Sequence, residues 1–447
     1  MRINRKLIEA KLINFLFNIC FNLKLAIFIK LLLEKYIVKG SSSKAVLYLS
    51  PQRSNYEIEF LLKNKITMFM PSNVIINEIV LFCIKEKKID SLKELKINGD
   101  KKSFFLKILK ELNLGLIISP AYHYIYDNLF AKIFRSADLK YLIFHREGYN
   151  FSKNHLNNLK KLIQKKKHKA DKIIVHNKLY KNIFKEVLKS NKKKIEIVGP
   201  LRMQEILKFK KKINQKKSNK ILFLSFTPAY AGGNPLKLGN LGQYGKLNKD
   251  NIKFIDQMKF NNLEDRHYNY EQFYFAHKIF FECVKNNPKY KFEIRLKFNN
   301  EYNKQIINNL CKKICGYHPL NLKLDQSNLW ESINESYFVS GYGSTGLLEA
   351  SMLNKPSVQI INKNLLKNPK INSNLRISNH LKCFNIVRNK KDLDLIFNKF
   401  VIKIKKEKSK KNEVLNRKAK LAFKNFIFDF KNKNNQKFLK IIFNLIN

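Results

Sequence analysis

Short apolar runs closed by turn residues alternate, along the first half of the chain, with longer stretches in which apolar residues recur every three or four positions. KAVLYLSP (44–51) opens the series, and ITMFMPS (66–72), LGLIISP (114–120), LKYLIFHREG (139–148), DKIIVHN (171–177) and KIEIVGP (194–200) repeat its style. Apolar runs of this length bounded by Pro, Gly, Ser or Asn predict buried strands. The Lys- and Leu-rich segments 75–87, 103–113, 152–167 and 178–190 have helical periodicity. Strands alternating with helices predict βαβ units and a parallel sheet.

Residues 205–219 are polar and heavily basic and read as a linker. The pattern then restarts with KILFLSF (220–226), a helix over 269–285, YKFEIRLKF (290–298), a helix over 300–314 and LNLKLD (320–325). YFVSG (337–341), a helix from 344, PSVQII (356–361) and FNIV (384–387) complete it. The prediction is an α/β protein of two Rossmann-like domains facing a cleft, at 41–204 and 220–400. An N-terminal amphipathic segment (1–40) precedes them and a basic helical tail (401–447) follows. The Gly- and Asn-bearing stretch 227–268 is long for a loop in a compact domain, and loops of that length usually serve function.

Composition changes this picture in two places. With 88 basic and 34 acidic residues the formal charge is +54, which draws anionic partners. Saturation with Lys, Asn and Ile is also what an AT-rich coding sequence produces, and no arginine-rich stripe or aromatic RNA-binding pattern points to nucleic acid. An anionic membrane surface is the better candidate partner. In residues 5–38, Lys11, Lys24 and Lys30 interrupt every apolar run, so neither a membrane span nor a secretion signal is expected. Apolar residues at helical spacing with basic residues on the remaining face suit a helix lying on a membrane, or one docked on the protein's own core. The six cysteines are scattered and read as buried thiols of a reducing, cytoplasmic compartment. Cys311 and Cys315, with His318 nearby, lack the second ligand cluster that a zinc site needs, and no metal is expected.

One stretch concentrates candidate chemistry: YFVSGYGSTGLLEASMLNKPSVQII, residues 337–361. YFVS is a strand, GYGST the loop at its carboxyl end and LLEASML the following helix, so the loop sits where parallel sheets bind ligands and where a helix N-terminus attracts anions. Gly341, Gly343 and Gly346 let the backbone approach a ligand, and Ser344 and Thr345 can cap the helix or donate to phosphate oxygens. Glu349 falls one turn inside the helix. A carboxylate accepts two hydrogen bonds and a ribose diol donates two, so phosphate at the loop and ribose at Glu349 is one reading. A plain N-cap with a dipole-matching acid is the other.

The segment SGYGSTGLLEASMLNKPSVQI resembles the nucleotide-sugar loop of glycosyltransferases of the two-Rossmann (GT-B) type. Ser344, Thr345 and Glu349 match the phosphate and ribose positions, and Lys355-Pro356 matches the strand entry. Val198, Gly199 and Arg202 match the "V-G-x-x-R" strand exit of surface-polysaccharide and CDP-glycerol-type transferases. Lys297-Phe298 stands where those families carry His-Pro. The resemblance spans about residues 110–445. It implies a metal-independent glycosyltransferase without a cofactor, using a nucleotide-sugar donor and a lipid-linked or growing surface-glycan acceptor. It places the enzyme in the bacterial cytoplasm, with the inner membrane face as a candidate station.

Arg295 and Lys297, at the end of a second-domain strand, can neutralise a leaving diphosphate. In the first half FHREGYN (144–150) leaves a strand at its carboxyl end. There His145 or Glu147 can act as base and Arg146 can bind a phosphate, unless the run is only a polar turn. His123 lies in a further loop, SPAYHYIYDN (119–128). The alternatives are a polyol-phosphate transferase, a sugar-nucleotide 2-epimerase and a basic binding protein on a degenerate fold. An epimerase should carry paired acids at the ribose position, and Glu349 is followed by Ala350.

Overall fold

The computed structural model describes residues 5–49, 55–84, 97–120, 125–136, 138–145, 153–166, 170–188, 194–212, 218–225, 264–297, 301–342, 344–362, 384–402 and 434–447. The chain divides into two compact units, Met1–Gly148 with Leu156–Gln204 and Ile427–Asn447, and Tyr149–His155 with Glu205–Phe426.

The first unit holds seven strands: β1 (Ile37–Val38), β2 (Ala45–Tyr48), β3 (Met68–Phe69), β4 (Leu114–Ser119), β5 (Lys140–His145), β6 (Lys172–Val175) and β7 (Ile195–Ile197). Their order is β1-β3-β2-β4-β5-β6-β7. All pairs are parallel except β1 with β3. Setting the edge strand β1 aside, the chain steps once to one side of β2 and then runs away on the other. This is the second of the two common doubly wound orders.

Helices α1 (Arg5–Asn22), α2 (Ala26–Glu34), α3 (Asn55–Lys63), α4 (Asn73–Cys83), α5 (Gly99–Glu111), α6 (Ile125–Phe134), α7 (Lys153–Lys166) and α8 (Lys178–Leu188) belong to this unit. The N-terminal segment is two helices rather than one. They break at Lys24, which adopts a left-handed φ of 57°. Phe17 of α1 packs edge-to-face on Phe82 of α4 and Phe105 of α5, so this face docks on the protein itself. The opposite face carries large apolar side chains beside exposed lysines such as Lys11 and Lys24, rather than basic residues alone.

The second unit is built on β8 (Lys220–Ser225), β9 (Lys291–Leu296), β10 (Leu322–Leu324), β11 (Ser336–Gly341), β12 (Ser357–Ile360) and β13 (Asn385–Val387). All are parallel, in the order β10-β9-β8-β11-β12-β13. The chain moves outward from β8 to β10, then returns to lay β11 on the other side of β8. The order of strand addition reverses between β8 and β11, which is where such sheets open a crevice beyond their carboxyl ends. The apolar runs assigned as strands in the sequence are strands here, and β2, β4 and β8, buried along their whole length, carry the continuous Val, Ile, Leu and Phe that burial on both faces needs.

Two regions between and after the units differ from expectation. The basic stretch read as a linker begins inside α9 (Leu201–Lys212). Ile206 is fully buried, and Lys210 Nζ donates to the Met352 carbonyl at 3.0 Å, so this part of the stretch packs on a folded surface. The segment read as a basic tail contains a last helix, Asn434–Ile446, that belongs to the first unit. Phe438, Ile441, Ile442 and Ile446 are buried in the same core as Val46, Tyr48 and Phe144. The stretch 226–263, which holds most of the long Gly-bearing loop, lies outside the described residues.

Candidate functional site

The residues of the second unit that matter most lie at the β8/β11 switch. Helices α10 (Glu264–Asn286), α11 (Glu301–Cys315), α12 (Leu329–Asn334) and α13 (Thr345–Met352) belong to this unit. The run GYGSTG, residues 341–346, leaves β11 and opens α13, with glycines in the G-x-G-x-x-G spacing of dinucleotide loops. Two of them have visible reasons. Gly341 has φ +156°, and a Cβ there would lie 2.8 Å from the Leu224 carbonyl oxygen of β8. At Gly346 a Cβ would meet Leu224 Cδ1 at 2.6 Å, so a bare backbone lets α13 rest on β8. Gly343 lies outside the described residues. Gly341→Ala is expected to lower stability by about 1–3 kcal/mol, since it combines backbone strain with a clash against main chain. An unchanged urea midpoint would show that β8 and β11 can separate freely.

Ser344 is the N-cap of α13, and its Oγ accepts from Gly346 N at 3.1 Å. The helix N-terminus points out of the sheet's carboxyl edge, a ready place for an anion. Glu349 is the fifth residue of α13, beyond the first turn, so it is not the counter-charge of the helix dipole. It is 1% exposed, and its Oε2 accepts from Trp330 Nε1–H at 2.8 Å. Trp330, on α12, packs its ring 5.3 Å from that of Phe209 on α9. A buried carboxylate held by an indole is costly to desolvate and is kept by its hydrogen bonds. Trp330 is the only tryptophan of the chain, and nothing in its sequence neighbourhood tied it to a glutamate nineteen residues on.

The cations sort unequally. Arg295 Nη1 donates to Asp325 Oδ2 at 2.8 Å and to the Ser327 carbonyl at 2.7 Å, which ties the exit of β9 to that of β10. Burial alone would raise the Asp325 carboxyl, but hydrogen bonds from Ser327 and Arg295 outweigh it and hold the group low. Arg295 therefore serves as a strap in this structure. Lys297 is exposed, and its N–H donates to the Ser225 carbonyl at the end of β8. Lys355 sits at the opposite, amino edge of the sheet, where its Nζ donates to Ser218 Oγ at 3.0 Å. Burial pushes its ammonium down to about 8 against the pull of Glu335.

A buried pair that the sequence did not reveal adjoins the same strand end. His277 of α10 is wholly buried, with Nδ1–H donating to the Phe273 carbonyl at 2.7 Å. Its Nε2 accepts from the Ser225 hydroxyl at 2.8 Å. Desolvation pushes the imidazole down to about 3 even though the Phe273 carbonyl favours its charge, so the ring is neutral near pH 7. Tyr342 of the glycine loop stands edge-on to it, with ring centroids 6.5 Å apart. No sequence signal marks such a pair, because its members are 52 residues apart.

In the first unit His145 ends β5, 1% exposed, with its ring 5.4 Å from Tyr180 and 5.5 Å from Phe184 of α8. It lies within the packing of α8 on the sheet rather than on an open face. Arg146, Glu147 and His123 lie outside the described residues. Cys311 and Cys315 are buried, and burial pushes the Cys311 thiol up to about 12, so both behave as core side chains. Among the described residues no group of three or more His, Cys, Asp or Glu could hold a metal ion.

No family model and no curated protein matches the sequence. Solved structures with similar traces include the wall teichoic acid polymerase TagF (H548A form), at 13% identity and TM-score 0.48, covering 90% of this chain and 89% of that one. A putative UDP-N-acetylglucosamine 2-epimerase from Listeria monocytogenes has 10% identity and TM-score 0.48, covering 90% and 96%. A glycosyltransferase from Rickettsia africae ESF-5 has 12% identity and TM-score 0.45, covering 90% and 99%. What this chain shares with its own expected architecture is direct: two doubly wound parallel-sheet units, with a glycine-rich loop and a buried glutamate at the switch point of the second.

Proposed function

We propose that the protein is a GT-B-type glycosyltransferase that moves a sugar from a nucleotide-sugar donor to a surface-glycan acceptor in the bacterial cytoplasm. The observation that carries this reading is the conjunction at the β8/β11 switch. A G-x-G-x-x-G loop opens a helix there, and one turn behind it a buried carboxylate is already held in place by an indole. A diphosphate at the loop and α13 N-terminus sets the ribose hydroxyls toward Glu349. Ser344, Thr345 and the backbone at Gly343 and Gly346 would line the diphosphate. Lys297, exposed beside the end of β8, and Arg295, tied to Asp325, are the cations at this strand end that would meet the charge developing on the leaving diphosphate.

In the transfer the bond from the anomeric carbon to the diphosphate oxygen breaks. The acceptor oxygen takes that carbon, and the acceptor's proton passes to a base. His145 and Glu147 are the candidates for base, with Arg146 and His123 as acceptor contacts. The burial of His145 favours the neighbouring carboxylate. The reaction assigned to these residues calls on no metal and no cofactor. A polyol-phosphate transferase would use the same nucleotide loop with a different transferred group. The 2-epimerase reading is weaker, since Ala350 follows Glu349 where a second acid would be wanted.

The test is a nucleotide panel of UDP, GDP, CDP, CMP and ATP in high salt, which suppresses the general attraction of a +54 chain. Trp330 supplies the signal, because a ligand on Glu349 changes the surroundings of the only indole. One nucleotide binding selectively and shifting the emission supports a donor site. Equal binding of all five, lost with salt and silent in fluorescence, would leave a capped helix and a basic binding protein.

A further inference from the structure

We infer that helices α1 and α2 form a docking face for an anionic lipid bilayer, lying in its surface rather than crossing it. Of the 13 large hydrophobic side chains exposed among the described residues, eight fall between Ile8 and Leu31. On α1 they are Ile8, Leu12, Phe15 and Ile19, spaced four, three and four apart, which puts them on one stripe of the helix. The stripe continues at Leu23 in the turn and at Ile27, Phe28 and Leu31 on α2. Exposures run from 37% to 61%, so the face presents roughly several hundred Å² of apolar surface, the size of patch that on a monomer often marks an interaction site.

The other face of each helix is already spent. Phe17, Cys20, Ile29 and Leu33 are buried, and Asn14 Nδ2 donates to Glu78 of α4 at 3.0 Å. A helix that is apolar on both sides is covered on both. Charge selects the cover. Lys11, Lys24 and Lys35 are exposed along the stripe, and between residues 5 and 39 seven basic residues stand against Glu9 and Glu34. A protein partner of this face would need a continuous apolar groove rimmed by acids. An anionic bilayer offers acyl chains and headgroup phosphates together. No helix among the described residues is long and apolar enough to cross a membrane, which leaves binding in the plane.

This inference does not rest on the donor chemistry, because it is read with no nucleotide present. The experiment is flotation of the full chain with vesicles of phosphatidylcholine alone or mixed with phosphatidylglycerol, at physiological and at high salt. Wild type should float with the mixed vesicles and keep part of its binding in high salt. Phe15→Asp with Phe28→Asp should lower the partition coefficient at least about tenfold at an unchanged melting temperature, since both rings are exposed. Leu12→Ser with Leu31→Ser gives a second, uncharged pair with the same expectation. Three results would overturn the inference. One is wild type found off the vesicles. Another is variants that float as wild type does and leave with salt, which is general attraction of a basic chain. The third is a wild-type dimer in light scattering that the variants convert to monomer, which makes the cover a second copy.

Discussion

Glu349→Gln is expected to weaken binding of the selected nucleoside diphosphate by roughly 10- to 100-fold while leaving the fold intact. Glutamine keeps the length of the side chain and a carbonyl oxygen to accept from Trp330 Nε1–H, now 2.8 Å from Glu349 Oε2. What it removes is the charge, and one acceptor becomes a donor. Hydrogen bonds to a charged group contribute about 1.5–3 kcal/mol, and each 1.4 kcal/mol is about tenfold in affinity. The alanine variant is a poorer probe, because it also opens a space in a buried site. A ligand that lacks the ribose hydroxyls sharpens the test. A 2′,3′-dideoxynucleoside diphosphate should bind wild type weakly and lose nothing further in Glu349→Gln, since the two changes remove the same contact. If the losses add instead, the glutamate acts elsewhere and the ribose assignment is wrong.

Acidification should destabilise the second unit through His277. The imidazole is held at about 3 in the folded protein, against about 6.5 in an unfolded chain. Below about pH 6.5 the unfolded state takes a proton that the folded state refuses, so stability falls as pH falls, and keeps falling until about pH 3. At about pH 4.5 the unfolded ring is charged and the folded one still neutral. The loss by then is about 3 kcal/mol, two pH units at 1.36 kcal/mol each. Urea titrations near pH 7 and near pH 4.5 on wild type and His277→Gln would isolate it. The variant should be weaker near neutrality, where it disturbs the bond to Ser225, yet lose about 3 kcal/mol less on acidification. Parallel losses in both proteins would place the acid sensitivity elsewhere.

The parallel sheets were legible because burial on both faces forces an unbroken apolar run, and KAVLYLSP, LGLIISP and KILFLSF carry one. Their order was not, since nothing local distinguishes β11 beside β8 from β11 beside β10. The two-residue strand β1 was invisible inside a pattern that reads as helix. In the site, Ser344, Gly346 and Glu349 were legible because loop, cap and acid are neighbours in sequence. Trp330, Ser225 and His277 were not, for they meet only through the sheet. Arg295 looked free in sequence because Asp325, thirty residues on, is drawn beside it by the pairing of β9 with β10. The lysines of 205–212 looked like a linker because helix formation there depends on Ile206 and Phe209 finding partners far along the chain.

The return of the last helix to the first unit has a consequence for the order of events during synthesis. Phe438, Ile441 and Ile442 bury part of the core that Val46, Tyr48 and Phe144 begin. They leave the ribosome only after Glu205–Phe426 has been made. Domains generally fold as they emerge, N-terminal first, but this one cannot close its core on that schedule. The nascent first sheet therefore lacks this part of its apolar cover until the whole second unit has been translated.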